Sequence, residues 1–64
     1  MKMWDIAKRT RIITGQKLVI KDRDKVIAEY NSGTEAQNAQ YRDEMQLTVG
    51  GIVLTSSQLI LYVK

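Results

Sequence analysis

The chain has 64 residues, a net charge of +3, and neither cysteine nor histidine. A chain of this length forms one domain at most, residues 1–64, whose core is only just large enough to offset the conformational entropy lost on folding. Disulfide bonds are excluded, and the two commonest structural zinc ligands are absent. Self-association is the remaining source of buried surface, so we expect a homo-oligomer, most simply a dimer.

The first segment, Met1–Lys8, fits either a strand or a helix. Its apolar residues alternate with polar ones, as in a strand, but residues 5–9 include good helix formers. Arg9–Ile13 then predicts a strand, and Thr14–Gln16 predicts a turn whose glycine supplies the positive φ that hairpin loops favour. We therefore predict the first strand of a meander here.

Residues 17–30 carry the clearest pattern, that of a β-hairpin. Two β-branched runs flank the Asp22-Arg23-Asp24 tripeptide. The loop length decides which side chains share a face, because a one-residue shift in register sends every side chain to the other side. A two-residue loop would pair Asp22 with Lys25 but would set Leu18 against Glu29. We therefore predict a three-residue loop.

The same register extends the hairpin into a three-stranded meander with two distinct faces. The predicted inner face consists of Thr10, Ile12, Leu18, Ile20, Val26, Ala28 and Tyr30. The predicted outer face consists of Arg9, Arg11, Ile13, Lys17, Val19, Lys21, Lys25, Ile27 and Glu29. Because apolar residues interrupt the charges of the outer face, we expect that face to be partly covered.

A helix is predicted after the meander. Asn31–Gly33 interrupts the sheet, and Thr34 is a candidate N-cap. We end this helix near residue 41, because residues 45–49 alternate strictly, as in a half-buried strand. A longer helix over residues 34–47 has no continuous apolar stripe and is the alternative.

The last third of the chain predicts two turns and an apolar strand. Gly50-Gly51 predicts a two-residue hairpin, since a type I′ turn has positive φ at both central positions. Ser56-Ser57 predicts a second, weaker turn. The pairs that this second turn aligns are Leu54 with Leu59 and Ile52 with Leu61. The final run, Leu59–Val63, is apolar on both faces, so it lies either inside the domain or in an interface.

Together these elements predict a mainly β fold. It is a small antiparallel barrel or sandwich, with a β-meander, one short helix near residues 34–41, and then two or three antiparallel strands. The alternative is an α+β fold in which a longer helix, residues 34–47, packs on an antiparallel sheet.

The composition indicates a soluble cytoplasmic protein without catalytic chemistry. No apolar run has the length of a membrane span, and the N-terminal residues lack the apolar segment of a signal peptide. The commonest general base and the strongest nucleophile are both absent. The tripeptide at residues 22–24 does not continue into a calcium-binding loop. We therefore expect a protein that is not an enzyme and that uses no metal or other cofactor.

The uneven distribution of charge is the main indication of function. Residues 1–33 contain eight Lys or Arg against four Asp or Glu, whereas residues 34–64 contain two against three. Cations on neighbouring strands can follow a phosphate backbone, and an aromatic ring can stack on a base. The candidate nucleic-acid contacts are Arg9, Arg11, Lys17, Lys21 and Lys25, with Trp4 as a stacking platform. The sequence thus predicts binding of nucleic acid or another polyanion, although the same cations also fit an ordinary solvated surface.

The apolar residues of two strands favour a second interpretation. The candidate protein-interface residues are Val19, Ile27, Leu59, Leu61 and Val63. Apolar side chains in a polar surface are common at protein contacts, and an exposed strand can add to a partner's sheet edge. The alternative function is therefore that of a small accessory or inhibitor protein acting by protein–protein contact. In its brevity, charged turns and lack of cysteine and histidine, the chain resembles a small phage or mobile-element protein, a likeness of style that assigns no residue role.

Overall fold

The computed structural model describes residues 1–9 and 16–64. The strands are β1 (Lys17–Asp22), β2 (Lys25–Tyr30), β3 (Val49–Leu54) and β4 (Gln58–Val63). The helices are α1 (Met3–Ala7), α2 (Gly33–Gln37) and a 3₁₀ helix (Asp43–Gln46). The four strands form an open sheet in the order β2-β1-β4-β3. The mainly β or α+β class is confirmed, whereas closure into a barrel is wrong.

Parallel pairing joins two antiparallel hairpins. β1 is antiparallel to β2, and β3 is antiparallel to β4. Between the hairpins β1 and β4 run parallel, with Leu18 opposite Leu59 and Ile20 opposite Leu61. This pairing corrects the prediction of an all-antiparallel sheet, and it places β4 inside the sheet, one of the two positions predicted for an apolar strand.

The core lies on one face of the sheet. The buried residues of the helical side are Met3, Ala7, Ala36, Ala39 and Met45. They pack on a layer of strand residues, namely Leu18, Ile20, Tyr30, Leu59 and Leu61. Burying a large apolar side chain contributes roughly 1.5–3 kcal/mol, so packing of the helices on this layer stabilises the fold.

The N-terminal segment is helical rather than extended. Lys2 donates its N–H to Asp5 Oδ2 at 2.9 Å at the start of α1. Arg9 lies in the turn after this helix, with its N–H donating to Ile6 O at 3.0 Å. The rest of the predicted first strand and most of its turn fall on residues 10–15, which lie outside the described residues.

The first hairpin combines a two-residue loop with a β-bulge. Asp22 lies opposite Lys25, so the loop contains only Arg23 and Asp24. Arg23 adopts the left-handed conformation, with φ of 57°, which tight hairpin loops require. The predicted three-residue loop is therefore wrong.

The bulge brings together on the inner face most of the residues that the three-residue loop was predicted to align there. The register shifts between Ile20 and Lys21, and beyond that shift Leu18 pairs with Tyr30 and Ile20 pairs with Ala28. These four inner positions are confirmed. Val26, by contrast, lies opposite Lys21, so its predicted inward position is wrong. The prediction failed because an extra residue in one strand reverses the alternation of faces.

α2 is shorter than predicted and has a different cap. Ser32 Oγ accepts the N–H of Glu35 at 3.1 Å, and Glu35 Oε2 accepts the N–H of Asn31 at 3.1 Å. These two side chains perform the capping predicted for Thr34. The helix ends at Gln37, before the predicted end.

The 3₁₀ helix occupies the segment that was predicted to begin a strand. Met45 is fully buried in the core, whereas Leu47 is exposed. The alternation in residues 45–49 therefore arises from a helical turn followed by the approach to β3. The longer helix over residues 34–47 is also wrong, because turns at residues 38–41 separate α2 from the 3₁₀ helix.

The two adjacent glycines lie inside β3 and do not form a hairpin turn. Neither has a positive φ, and the register shifts at this point, between Val49 and Gly51. A Cβ on Gly50 would lie 2.5 Å from Lys64 Cα, whereas a Cβ on Gly51 would lie 3.8 Å from Tyr62 Cβ. Gly50 is thus required for close backbone approach.

The second predicted turn is confirmed. Leu54 lies opposite Leu59 and Ile52 lies opposite Leu61. Thr55 closes the turn, because its Oγ1 accepts the N–H of Gln58 at 2.9 Å.

Replacing each glycine with alanine tests whether Gly50, but not Gly51, is required for close backbone approach. Gly50→Ala forces the strand away from Lys64, and we expect a loss of about 1–3 kcal/mol in the free energy of unfolding. Gly51→Ala is the matched control and should change it by less than about 0.5 kcal/mol. Urea unfolding followed by Trp4 fluorescence measures both. Equal losses in the two variants would contradict the proposed role of Gly50.

Candidate functional site

The structure disperses the cations that were predicted to form one basic face. Lys17 and Lys21 extend from β1 on the side away from the helices, because Leu18 and Ile20 face the core. Lys25 lies opposite Asp22 instead and so emerges on the other side of the hairpin from Lys21. The two-residue loop is the cause, because it sets Lys25 opposite Asp22 rather than Lys21, and the prediction that these three lysines share a face is wrong.

The remaining predicted contacts are also separated from β1. Arg9 is exposed in the turn after α1, and Arg11 lies outside the described residues. Trp4 is half-buried and packs against the core. Lys17 Nζ lies 3.8 Å from Glu29 Oε1, which offsets part of the positive charge on this side of the sheet.

Most of the predicted protein-interface residues are buried within the chain. Leu59 and Leu61 lie in the core beneath the helices, and Val63 is half-buried against it. Val19 points away from the helices but is only 3% exposed, whereas Ile27 is 40% exposed. The interface prediction is therefore corrected for Leu59, Leu61 and Val19, whose side chains are not available to a partner.

The exposed apolar residues concentrate on β3. Ile52, Val53 and Leu54 are 52%, 44% and 62% exposed. The strand order places β3 at one edge of the sheet. No charged residue occurs between Gln46 and Lys64, so this edge is both apolar and uncharged.

The backbone of β3 also directs hydrogen-bonding groups to the edge of the sheet. Thr55 N–H donates to Gln58 O at 2.8 Å across the hairpin. Because alternate residues of an antiparallel strand point their amide groups in opposite directions, those of Ile52 and Leu54 point to the free edge. No strand lies beside them in residues 1–9 or 16–64.

The N-terminal segment covers only the start of this edge. Val49 N–H donates to Met1 O at 2.8 Å, and Met3 N–H donates to Leu47 O at 2.8 Å. Lys2 forms an antiparallel bridge with Thr48. Residues 50–54 have no such neighbour within the part of the chain that the structure describes, and we call them the open edge.

The opposite edge of the sheet, formed by β2, is protected against further pairing. It carries Lys25 and Glu29 and contains the bulge next to Val26. Charges and bulges on edge strands prevent association with other strands, and an uncharged apolar edge lacks this protection. The two edges thus differ in their capacity to bind another strand.

One strongly perturbed ionisable pair lies away from the open edge. Tyr30 Oη donates to Glu44 Oε1 at 2.6 Å. Burial, followed by this hydrogen bond, raises the pKa of Tyr30 to about 12. The same hydrogen bond lowers the pKa of Glu44. Perturbed pKa values often mark functional sites, but here the two groups satisfy each other and hold the 3₁₀ helix on β2.

No family model, curated protein or solved structure matches the chain. Within the part of the chain that the structure describes, no three acidic side chains come together to hold a metal ion. Among the same residues, no helix has the length and apolar character needed to cross a membrane. The surfaces of the sheet are therefore the basis for assigning a function.

Sequence reasoning missed the open edge because it treated the residues after Gly51 as the second strand of a hairpin with residues 47–49. One signal was available, namely the uncharged run from Leu47 to Val63. If a strand from such a run lies at the edge of a sheet, it has no charged side chain to prevent pairing with another strand.

The Tyr30–Glu44 pair predicts how stability depends on pH. An unfolded tyrosine ionises near pH 10, whereas folded Tyr30 keeps its proton to about pH 12. The unfolded state therefore binds fewer protons in this window, and wild-type stability should fall by up to about 2 kcal/mol as the pH rises through it. Tyr30→Phe should lack this loss, as measured by urea unfolding.

The dependence of stability on pH in the acid range provides the control. The pKa of Glu44 is lowered in the folded state, so its contribution to stability is lost as the pH falls below about 4.3, the ordinary glutamate pKa. Glu44→Gln keeps an oxygen acceptor for Tyr30 and should lose this acid-dependent step, and its alkaline loss should be smaller because the Glu44 charge no longer raises the pKa of Tyr30. Identical pH profiles for both variants and the wild type would contradict the assignment.

Proposed function

We propose that the protein is a non-enzymatic binding protein that acts by protein–protein contact at the open edge. The observation that carries this proposal is the coincidence of two features in Ile52 and Leu54. Both residues are more than half exposed, and both direct backbone amide groups to an edge that has no neighbouring strand among residues 1–9 and 16–64. Binding there is strand addition, in which backbone hydrogen bonds provide affinity and side chains provide specificity.

The chemistry of the open edge restricts the partner. The edge has no charge of its own, so a charged partner gains no ion pair there and loses hydration when it binds. An extended segment with small or apolar side chains loses no such hydration and covers Ile52, Val53 and Leu54. The function proposed is therefore recognition of an uncharged, apolar strand.

Site-specific photocrosslinking tests this proposal. A photoreactive amino acid in place of Leu54 should form crosslinks to an extended protein segment in cells that produce the chain, and mass spectrometry would identify that segment. The matched control replaces Val26, which is 45% exposed on the protected edge. An absence of crosslinks at position 54, or equal crosslinking at both positions, would contradict the proposal.

Polyanion binding is the second candidate function. It is favoured by Arg9, Lys21 and Lys25, whose side chains have no ion-pair partner among the residues that the structure describes. Binding of a labelled single-stranded oligonucleotide should then weaken with salt, with a log–log slope of about −0.7 for each phosphate neutralised. Lys21→Glu combined with Lys25→Glu should abolish binding, and Lys64→Glu should not. Absence of binding at low salt would rule this candidate out.

A further inference from the structure

We infer that the strand bound at the open edge belongs to a second copy of the chain, related to the first by a two-fold axis that passes beside Val53. This inference rests on the proposed strand addition and names its partner. An antiparallel pair of identical strands satisfies a two-fold axis, which makes the interface self-complementary. The two sheets then form one continuous eight-stranded sheet.

The direction of the backbone groups fits this register. Ile52 and Leu54 both point their amide groups outward, so in an antiparallel pair each must lie opposite an outward-pointing residue of the other copy. An axis at Val53 places Ile52 opposite Leu54 of the second copy, and Leu54 opposite Ile52 of the second copy. All outward donors and acceptors of these two residues are then paired.

The side chains match in the same arrangement. Ile52 and Leu54 lie opposite the core residues Leu61 and Leu59 and share their face of the sheet. Across the axis, two isoleucines and two leucines therefore meet on the helical side and extend the core of each copy. On the other side of the sheet the two Val53 side chains meet each other.

The length of the open edge also fits a second copy. In this register Gly51 lies opposite Thr55 of the second copy, at the point where the chain turns toward β4. The paired segment ends just before Val49, where Met1 already occupies the edge. Residues 1–3 therefore limit pairing at this end to a stretch that matches itself.

Charge favours self-pairing as well. Each copy has a net charge of +3, but its charged residues lie outside the run from Leu47 to Val63. Two copies therefore meet along a seam without like-charge contacts. Because a short edge contact buries less than the standard ~800 Å² per partner, we expect dissociation in the micromolar range.

Sedimentation equilibrium of the full chain provides the first test. The wild type should show a reversible monomer–dimer equilibrium at micromolar concentrations. Leu54→Lys places two positive charges beside the axis and should raise the dissociation constant at least about tenfold. Val26→Lys, a similar change on the protected edge, should leave it unchanged. A wild type that stays monomeric, or a Leu54→Lys variant that dimerises normally, would overturn the inference.

A disulfide tests the register. Val53→Cys introduces a single thiol into a chain without cysteine. Directly opposed residues in such a non-hydrogen-bonded pair have Cα atoms ~4.5 Å apart, which is within the range that a disulfide spans. Mild oxidation should give a covalent dimer with Val53→Cys but not with Val26→Cys, whose exposure is nearly equal. Equal crosslinking of the two variants would overturn the register.

These outcomes separate the inference from the proposed function. A monomeric wild type whose position 54 crosslinks to a different protein would reject the second copy and support strand addition. A dimer that persists in Leu54→Lys, together with no crosslinks at position 54, would reject both.

Discussion

The parallel pairing of β1 with β4 is the constraint on which the rest of the structure depends. Either hairpin alone would be only marginally stable in water, because two strands cannot bury an apolar face. Side by side, they bring Leu18 and Ile20 next to Leu59 and Leu61 and form the apolar layer on which the helices pack. β4 tolerates the central position because its residues are apolar on both faces.

Two β-bulges then decide which side chains reach the surface. In the first hairpin the two-residue loop turns Val26 outward and separates Lys25 from Lys21, which removes the continuous basic face, and the bulge returns Ala28 and Tyr30 to the inner face. The bulge in β3 requires Gly50, because the backbone of Lys64 approaches within the space of a Cβ atom. Loop length and bulges therefore have more effect on the exposed surface than any one side chain.

The difference between the two sheet edges connects the fold to the proposed function. The β2 edge has the charges and the bulge that oppose pairing with other strands, whereas β3 has no charge, and none of the described residues covers its edge beyond Val49. For a chain of this size, apolar surface left at one edge is surface that a partner can bury. The proposed strand addition would supply burial that the chain lacks and recognition at the same site.

Local patterns in the sequence determined those structural features that depend on residues close together in the chain. Alternation identified the apolar positions of the first hairpin, and Ser56-Ser57 identified the turn before β4, because such features depend on neighbours along the chain. Only the tertiary structure decided the pairing of β1 with β4, the bulges and the exposure of Ile52 and Leu54. Those features depend on contacts between distant residues, and hydrophobic periodicity contains no information about which strand lies beside which. Gly50 illustrates the limit, since glycine suits a turn and a close approach equally, and only the position of Lys64 distinguishes them.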